Sequence, residues 1–294
     1  MPVSSQWLAN PSSTYEIGNS CVFENSGPSY MSRTYSASNQ KTWTYSTWVK
    51  LGRIPTGGSM LLAGTGADNQ NDVMIGLSFD ASRSCHLHIL GRISGTTTIH
   101  LQTNAAHRDP SAWYHFVVTL DTTQSTESNR CKIYVNGVQQ TSLATSTYPD
   151  EDEDGLLINS NRVHYLGTAR DNTLSADGET WQGYMAEAYF IDGTAKAATD
   201  FGETNDEGVW VPTRYSGSYG TNGFYLDFAD SGDLGDDESG QGNDWAESNL
   251  AASDQRTDTP TNNQVTFNPL NNQQSGADAI TEGNTVYNGP STRT

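Results

Sequence analysis

Residues 41–52, KTWTYSTWVKLG, alternate in character from one position to the next. Trp43, Tyr45, Thr47, Val49 and Leu51 fall on one side and Thr44, Ser46, Trp48 and Lys50 on the other, a period of two that an extended strand turns into one apolar face. The same texture recurs in DVMIGLSFD (72–80), CHLHILGRI (85–93) and SAWYHFVVTLD (111–121), where Asp109-Pro110 marks the turn before the strand. In RCKIYVNGVQQTSL (130–143), Cys131, Ile133 and Val135 point one way, and Asn136-Gly137 supplies the two positive-φ residues of a type I′ hairpin. VHYLGTA (163–169) and WQGYMAEAYFIDG (181–193) are apolar on both faces, which predicts a sheet covered on both sides. TAKAATDFGE (194–203) has room for one helical turn, and no longer helical pattern occurs. Short strands between polar turns predict an all-β sandwich.

A chain of 294 residues accommodates one large all-β domain with an appendage, or two ordinary domains. Residues 1–19 are polar and read as an N-terminal arm, residues 20–205 as the sandwich and residues 206–294 as a C-terminal extension. Within the extension, GFYLDFAD (223–230) aligns Phe224, Leu226 and Phe228, and is expected to return a strand to the same sandwich. The remainder is turn chemistry that cannot bury a core alone. It wraps the sandwich, packs on another subunit, or leads into a further β-domain.

The charge balance excludes several partners. Lys and Arg total 15 against 34 Asp and Glu, a net charge of -19. Nucleic acid and acidic membrane surfaces are disfavoured, because both demand clustered basic residues. No stretch approaches the roughly 20 apolar residues of a membrane helix, and the opening MPVSSQWLANPSS lacks the pattern of a secretory signal. Cys21, Cys85 and Cys131 are odd in number and far apart, so they read as buried thiols rather than a disulfide framework. Assembly in a cytoplasm is expected.

Several phrases go beyond a generic sandwich. Trp48-Val49, Trp113-Tyr114-His115, Tyr134 to Gly137, and Gly183 to Glu187 resemble, in that order, the core pattern of a laminin G-like jelly roll of the concanavalin A-like superfamily. Over nearly the whole chain, SRTYSASNQKTWTYS, FGETNDEGVWVPTRYSGSYGTNGFYLDFADSGDLGDDESGQGNDW and DTPTNNQVTFNPLN resemble laminin G-bearing structural proteins of tailed bacteriophages. That resemblance implies a non-enzymatic virion-surface protein on a tail fibre or head. Its partners would be other virion proteins and host cell-surface carbohydrate, and it would form a homo-oligomer, a trimer if a fibre. The competing expectation is a purely structural capsid or tail decoration protein that contacts only other virion proteins.

Candidate sites follow from residue chemistry. In YPDEDEDGLLINS (148–160), Asp150, Asp152 and Asp154 precede Gly155 as in the first half of an EF-hand loop, but the position that should hold a bidentate Glu is Asn161. A different Asp loop holding calcium and a solvated acidic loop both remain open. Laminin G-like sandwiches often carry a rim calcium, for which Glu24, Asp227 and Asp230 form a second candidate set, against the reading of ordinary turn carboxylates. For sugar, Trp181, Tyr184, Trp210 and Tyr215 offer aromatic faces, and Arg170 and Asp171 offer planar hydrogen-bonding groups; the aromatics equally suit a core or a subunit interface. Glucanases use two neighbouring carboxylates, whereas here Glu187 stands alone on its strand, between Met185 and Tyr189. His86 and His88 share a strand face but lack a metal-ligand pattern and read as exposed.

Overall fold

The computed structural model describes residues 15–23, 28–55, 58–65, 71–78, 85–154, 157–169, 180–265, 280–281 and 286–287. In chain order the strands begin with β1 (Ser20–Phe23), β2 (Tyr30–Thr34), β3 (Thr42–Leu51), β4 (Ser59–Thr65) and β5 (Asp72–Ser78). They continue with β6 (His86–Ile93), β7 (Thr96–Ala106), β8 (Trp113–Asp121), β9 (Cys131–Val135), β10 (Val138–Gln139), β11 (Leu143–Thr147) and β12 (Val163–Leu166). The last part supplies β13 (Gly183–Asp192), β14 (Gly202–Thr204), β15 (Trp210–Pro212), β16 (Phe224–Leu226), β17 (Ala246–Ser248), β18 (Gln255–Arg256), β19 (Ile280–Thr281) and β20 (Val286–Tyr287). A single turn of helix, α1 (Glu127–Arg130), precedes β9, and a 3-10 turn spans Ala198–Asp200 within the stretch that has room for one helical turn.

Two large antiparallel sheets face each other. One runs β10-β9-β8-β3-β13-β1-β18, with β16 also on β13; the other runs β11-β7-β6-β5-β4-β12-β2-β17. The core between them takes Trp43, Tyr45 and Val49 from β3, Phe116 and Val118 from β8, and Met185 and Phe190 from β13, against Ile75, Ile89 and Leu101 of the facing sheet. Removing such a side chain from water contributes about 1.5–3 kcal/mol. All ten residues of β13 are buried, because its outer face is covered as well. One aromatic cluster there joins Tyr189, Phe201, Tyr215 and Tyr225, and a second joins Ile17, Trp48, Trp113 and Tyr184. The three cysteines are buried and free of disulfides.

The hairpin at Asn136-Gly137 forms with φ of 47° and 78°, both in the left-handed region. The Asn136 side-chain oxygen accepts the His115 backbone N–H at 2.8 Å, and a Cβ on Gly137 would stand 2.4 Å from the Trp210 ring. Only glycine fits under that indole.

Residues beyond 205 are structural members of both sheets. β16 pairs with β13 in the register Ala188↔Leu226, β17 pairs with β2, and β18 pairs with β1. A fragment ending at residue 205 therefore leaves the flank of β13 beside β16 and the outer edges of β1 and β2 unpaired, and is expected to show no cooperative thermal transition by circular dichroism. In the intact chain, limited cleavage near Gly217 should yield two pieces that stay associated. A 1–205 fragment that melts like the whole chain would refute this.

Candidate functional site

Glu187 occupies the break between two collinear strands. On that flank of β13, β1 pairs with residues 183–185 and β16 with residues 188–190. The register against β3 shifts between Ala186 and Tyr189, and Glu187 adopts φ 52° within this bulge. The simple alternation read from the sequence fails here. Met185 and Phe190 face the core while Tyr189 faces outward, so Glu187 does not share a face with both of its neighbours.

The carboxylate of Glu187 is 3% exposed and is the meeting point of three tyrosine hydroxyls. Tyr15 donates to Oε1 and Oε2 at 3.1 and 3.0 Å, Tyr225 donates to Oε1 at 2.7 Å, and Tyr189 donates to Oε2. Burial raises its pKa, and the hydrogen bonds from Tyr189, Tyr225 and Tyr15 oppose that rise. Tyr15 is itself pushed up to about 12 by burial and by the Glu187 charge, so it remains a donor. With both oxygens engaged by tyrosines, this carboxyl is a structural acceptor.

A ladder of aromatic rings leads from Glu187 to the surface. Tyr189 stacks on Tyr225 with centroids 4.4 Å apart, Tyr215 meets Tyr189 at 6.5 Å, and Tyr219 meets Tyr215 at 5.3 Å. The exposed Arg214 lies 5.1 Å over Tyr225, and Lys196 lies 5.5 Å over Tyr215. Tyr15 and Tyr219 are half-buried, so the ladder reaches solvent as two partly open aromatic rings beside a guanidinium. Such a surface can stack on an apolar ring face and bond to hydroxyls.

The structure places the four aromatic candidates in different surroundings. Trp181 and Tyr184 are 0% exposed and Tyr215 is 5% exposed, which makes all three packing residues; Trp210 alone of the four is half-buried. Trp210 and Tyr215 share one cluster, Tyr184 lies in the other, and Trp181 is in the inter-sheet core. Arg170 and Asp171 lie outside the described residues. Arg214 and Tyr219 are near neighbours in sequence, and Tyr15 joins them only through contacts across 172 and 210 positions, which no local pattern signals.

The described acidic candidates sit in loops and turns. Asp150, Asp152 and Asp154 are exposed, and Asp152 pairs with Lys41 at 3.2 Å. Asp227 and Asp230 accept the backbone N–H groups of Ala229 and Gly232 in local turns, and Glu24 lies outside the described residues. Among the described residues no three His, Cys, Asp or Glu side chains are placed to hold a metal ion. His88, expected to be exposed, is fully buried, while His86 is half-buried with Nδ1 2.8 Å from the Thr103 carbonyl.

One further pair has the composition of a nucleophile and base. Ser46 Oγ stands 2.8 Å from His115 Nε2. The indole N–H of Trp210 can only donate, and it reaches His115 Nδ1 at 3.0 Å. The proton of the neutral ring is therefore on Nε2, which donates to Ser46 rather than activating it. Burial drives the His115 pKa down to about 3, fixing that neutral form.

An antiparallel two-sheet sandwich closed by its own distant strands defines a jelly-roll module. The family model described as the Concanavalin A-like lectin/glucanases superfamily matches residues 25–199, and the chain belongs to that superfamily. No curated protein sequence matches the chain. Among solved structures, a putative carbohydrate binding protein from Bacteroides ovatus is similar at 14% identity and a TM-score of 0.47, over 82% of this chain and 60% of that one. A heptameric SAP-like pentraxin from Limulus polyphemus is similar at 13% identity and a TM-score of 0.43, over 63% of this chain and 80% of that one. A tailspike protein from an Escherichia coli bacteriophage is similar at 14% identity and a TM-score of 0.40, over 58% of this chain and 22% of that one. These are distant likenesses of fold and assign no function.

Proposed function

We propose that the protein is a non-catalytic carbohydrate-binding module of a phage virion, assembled in the host cytoplasm and exposed on a tail fibre or head, where it attaches the particle to host-surface glycan. The observation that supports the non-catalytic part is the burial of the Glu187 carboxyl, 3% exposed and held by three tyrosine hydroxyls, which keeps it from a scissile bond. A retaining or inverting glycosidase needs two carboxyl groups flanking the scissile bond. Membership of a superfamily that includes lectins supports the sugar, and the phrases shared with phage structural proteins support the virion. The half-open rings of Tyr219 and Tyr15, with Arg214 between solvent and Tyr225, supply the contact chemistry. Weak single sites gain avidity when several copies are tethered to one particle.

Whole-cell and glycan-array binding by the intact chain, with and without EDTA, tests this reading. Binding is expected, and Arg214→Ala should weaken it by about 1 kcal/mol or more, roughly fivefold. Tight association with purified capsids and no binding to any cell or glycan would favour an assembly protein instead.

A further inference from the structure

Lys50 is a primary amine shut away from water. It sits on β3 with 0% exposure, and the ring of Tyr184 lies 5.8 Å from its Nζ. That nitrogen meets three oxygens: Asp258 Oδ2 at 2.8 Å, Asn263 Oδ1 at 2.9 Å and the Gln264 carbonyl at 2.8 Å. Asp258 is 3% exposed, and its other oxygen accepts Trp113 Nε1 and the Gln264 backbone N–H, each at 3.1 Å. Asn263 Nδ2 donates to the Ser111 carbonyl at 2.9 Å, so both ends of this carboxamide are held. A buried amine, a buried acid and an anchored amide meet at one point, although 213 positions separate the amine from the amide.

Each group has a chemical part to play. An amine is a nucleophile only once it loses a proton, and the carboxylate at 2.8 Å is placed to take it. In a site without water, a neutral amine beside a neutral acid avoids the desolvation that two buried charges suffer. The carboxamide carbon is one bond beyond Oδ1, so the fold replaces a rare encounter with a fixed one. Asn263 itself is exposed, which gives a small leaving group a way out. Attack on the Gln264 carbonyl would cut the main chain, whereas attack on the Asn263 carboxamide releases only ammonia.

We propose that Lys50 and Asn263 join in an isopeptide bond, with Asp258 as the proton carrier. Asp258 takes a proton from the ammonium, and the freed lone pair of Nζ attacks Asn263 Cγ. The tetrahedral adduct collapses with the Nζ–Cγ bond kept and the Cγ–Nδ2 bond broken, and Asp258 passes the two protons shed by Nζ to the departing nitrogen. An ammonium and a carboxamide become a secondary amide and an ammonium ion; Asp258 returns to carboxylate, and no oxidant or reductant is consumed. The bond ties β3, in the middle of one sheet, to the segment after β18, whose own hold on that sheet is a strand of 2 residues. It stabilises the fold by closing a long loop in the unfolded chain. Its formation is independent of the attachment reading.

Mass spectrometry of the purified full chain, unfolded in denaturant, tests the bond. The expected mass is lower than that of the sequence by one ammonia, and a protease digest should contain a branched peptide joining Lys50 to Asn263. Asn263→Ala leaves the ion pair of Lys50 and Asp258 in place. That variant should fold, keep the full mass and melt about ten degrees below the whole chain, the shift expected for losing a long-loop cross-link. Asp258→Asn, checked for native circular dichroism, should also keep the full mass. The full sequence mass in the whole chain after prolonged incubation would overturn the proposal, as would the loss of one water with Asp258 itself joined to Lys50. An ammonia loss that persists in Asn263→Ala would overturn it too, by placing the reaction at another asparagine such as Asn136 before Gly137.

Discussion

Asp258→Ala is expected to destabilise the protein by about 3–5 kcal/mol, the cost of leaving a buried charge without its partner. Lys50 is fully buried, and its ammonium donates to Asp258 Oδ2 at 2.8 Å, Asn263 Oδ1 at 2.9 Å and the Gln264 carbonyl at 2.8 Å. The other Asp258 oxygen accepts from Trp113 Nε1 and from the Gln264 backbone N–H, each at 3.1 Å. Truncating Asp258 removes the counter-charge of Lys50 and the acceptor of Trp113 Nε1 and the Gln264 N–H at once. It also frees the segment that Thr261 ties to Ile17 at 2.9 Å. Against a total stability of about 5–15 kcal/mol, such a loss is large. Urea unfolding at neutral pH measures it. The pair Lys50→Met with Asp258→Leu should cost less than Asp258→Ala alone, since no charge is then left buried. Equal costs for the single and double variants would show that the ion pair is not the joint.

Acidification is expected to unfold the protein through two buried histidines. His115 is held neutral as described above. In His164, Nδ1–H donates to the Arg162 carbonyl at 3.0 Å, and Nε2 accepts the Asn159 backbone N–H at 3.2 Å. A second proton on either ring would set donor against donor. Burial lowers both pKa values from 6.5 to about 3. Between those values the unfolded chain holds protons that the folded chain refuses, so stability falls as pH drops below 6.5 and the loss is complete only near 3. Each group contributes a slope of about 1.4 kcal/mol per pH unit, roughly 2.7 kcal/mol per unit for the two. His107, lowered by burial to about 4, acts in the same direction. Glu187, with a raised pKa, acts oppositely and gains stability as it protonates, so it offsets part of the loss. Melting temperature measured from pH 7 to pH 4 should fall steadily, and a flat profile would contradict the burial of these rings.

Local pattern was sufficient for the framework. Alternation in β3 and β8 and the Asn136-Gly137 turn each act over a few residues, and each is realised at its expected place. What escaped local reading depends on distant partners. Lys50 lies on the polar side of its strand, where alternation suggests solvent; it is buried because residue 258 folds back across 208 positions. Trp181 and Tyr184 look like sugar platforms until the fold puts Trp181 between the two sheets and packs Ile17 and Trp113 with Tyr184. The bulge at Glu187 leaves no mark in composition, yet it reverses which neighbours face the core. The tyrosines that engage its carboxyl come from positions 15, 189 and 225, three segments with no shared motif.

The most direct measurement is incubation of the purified chain with host-surface polysaccharide, following retention of the protein and release of new reducing ends together. Retention without cleavage, unchanged in Glu187→Gln, is the expected result. Chain scission that Glu187→Gln abolishes would contradict it.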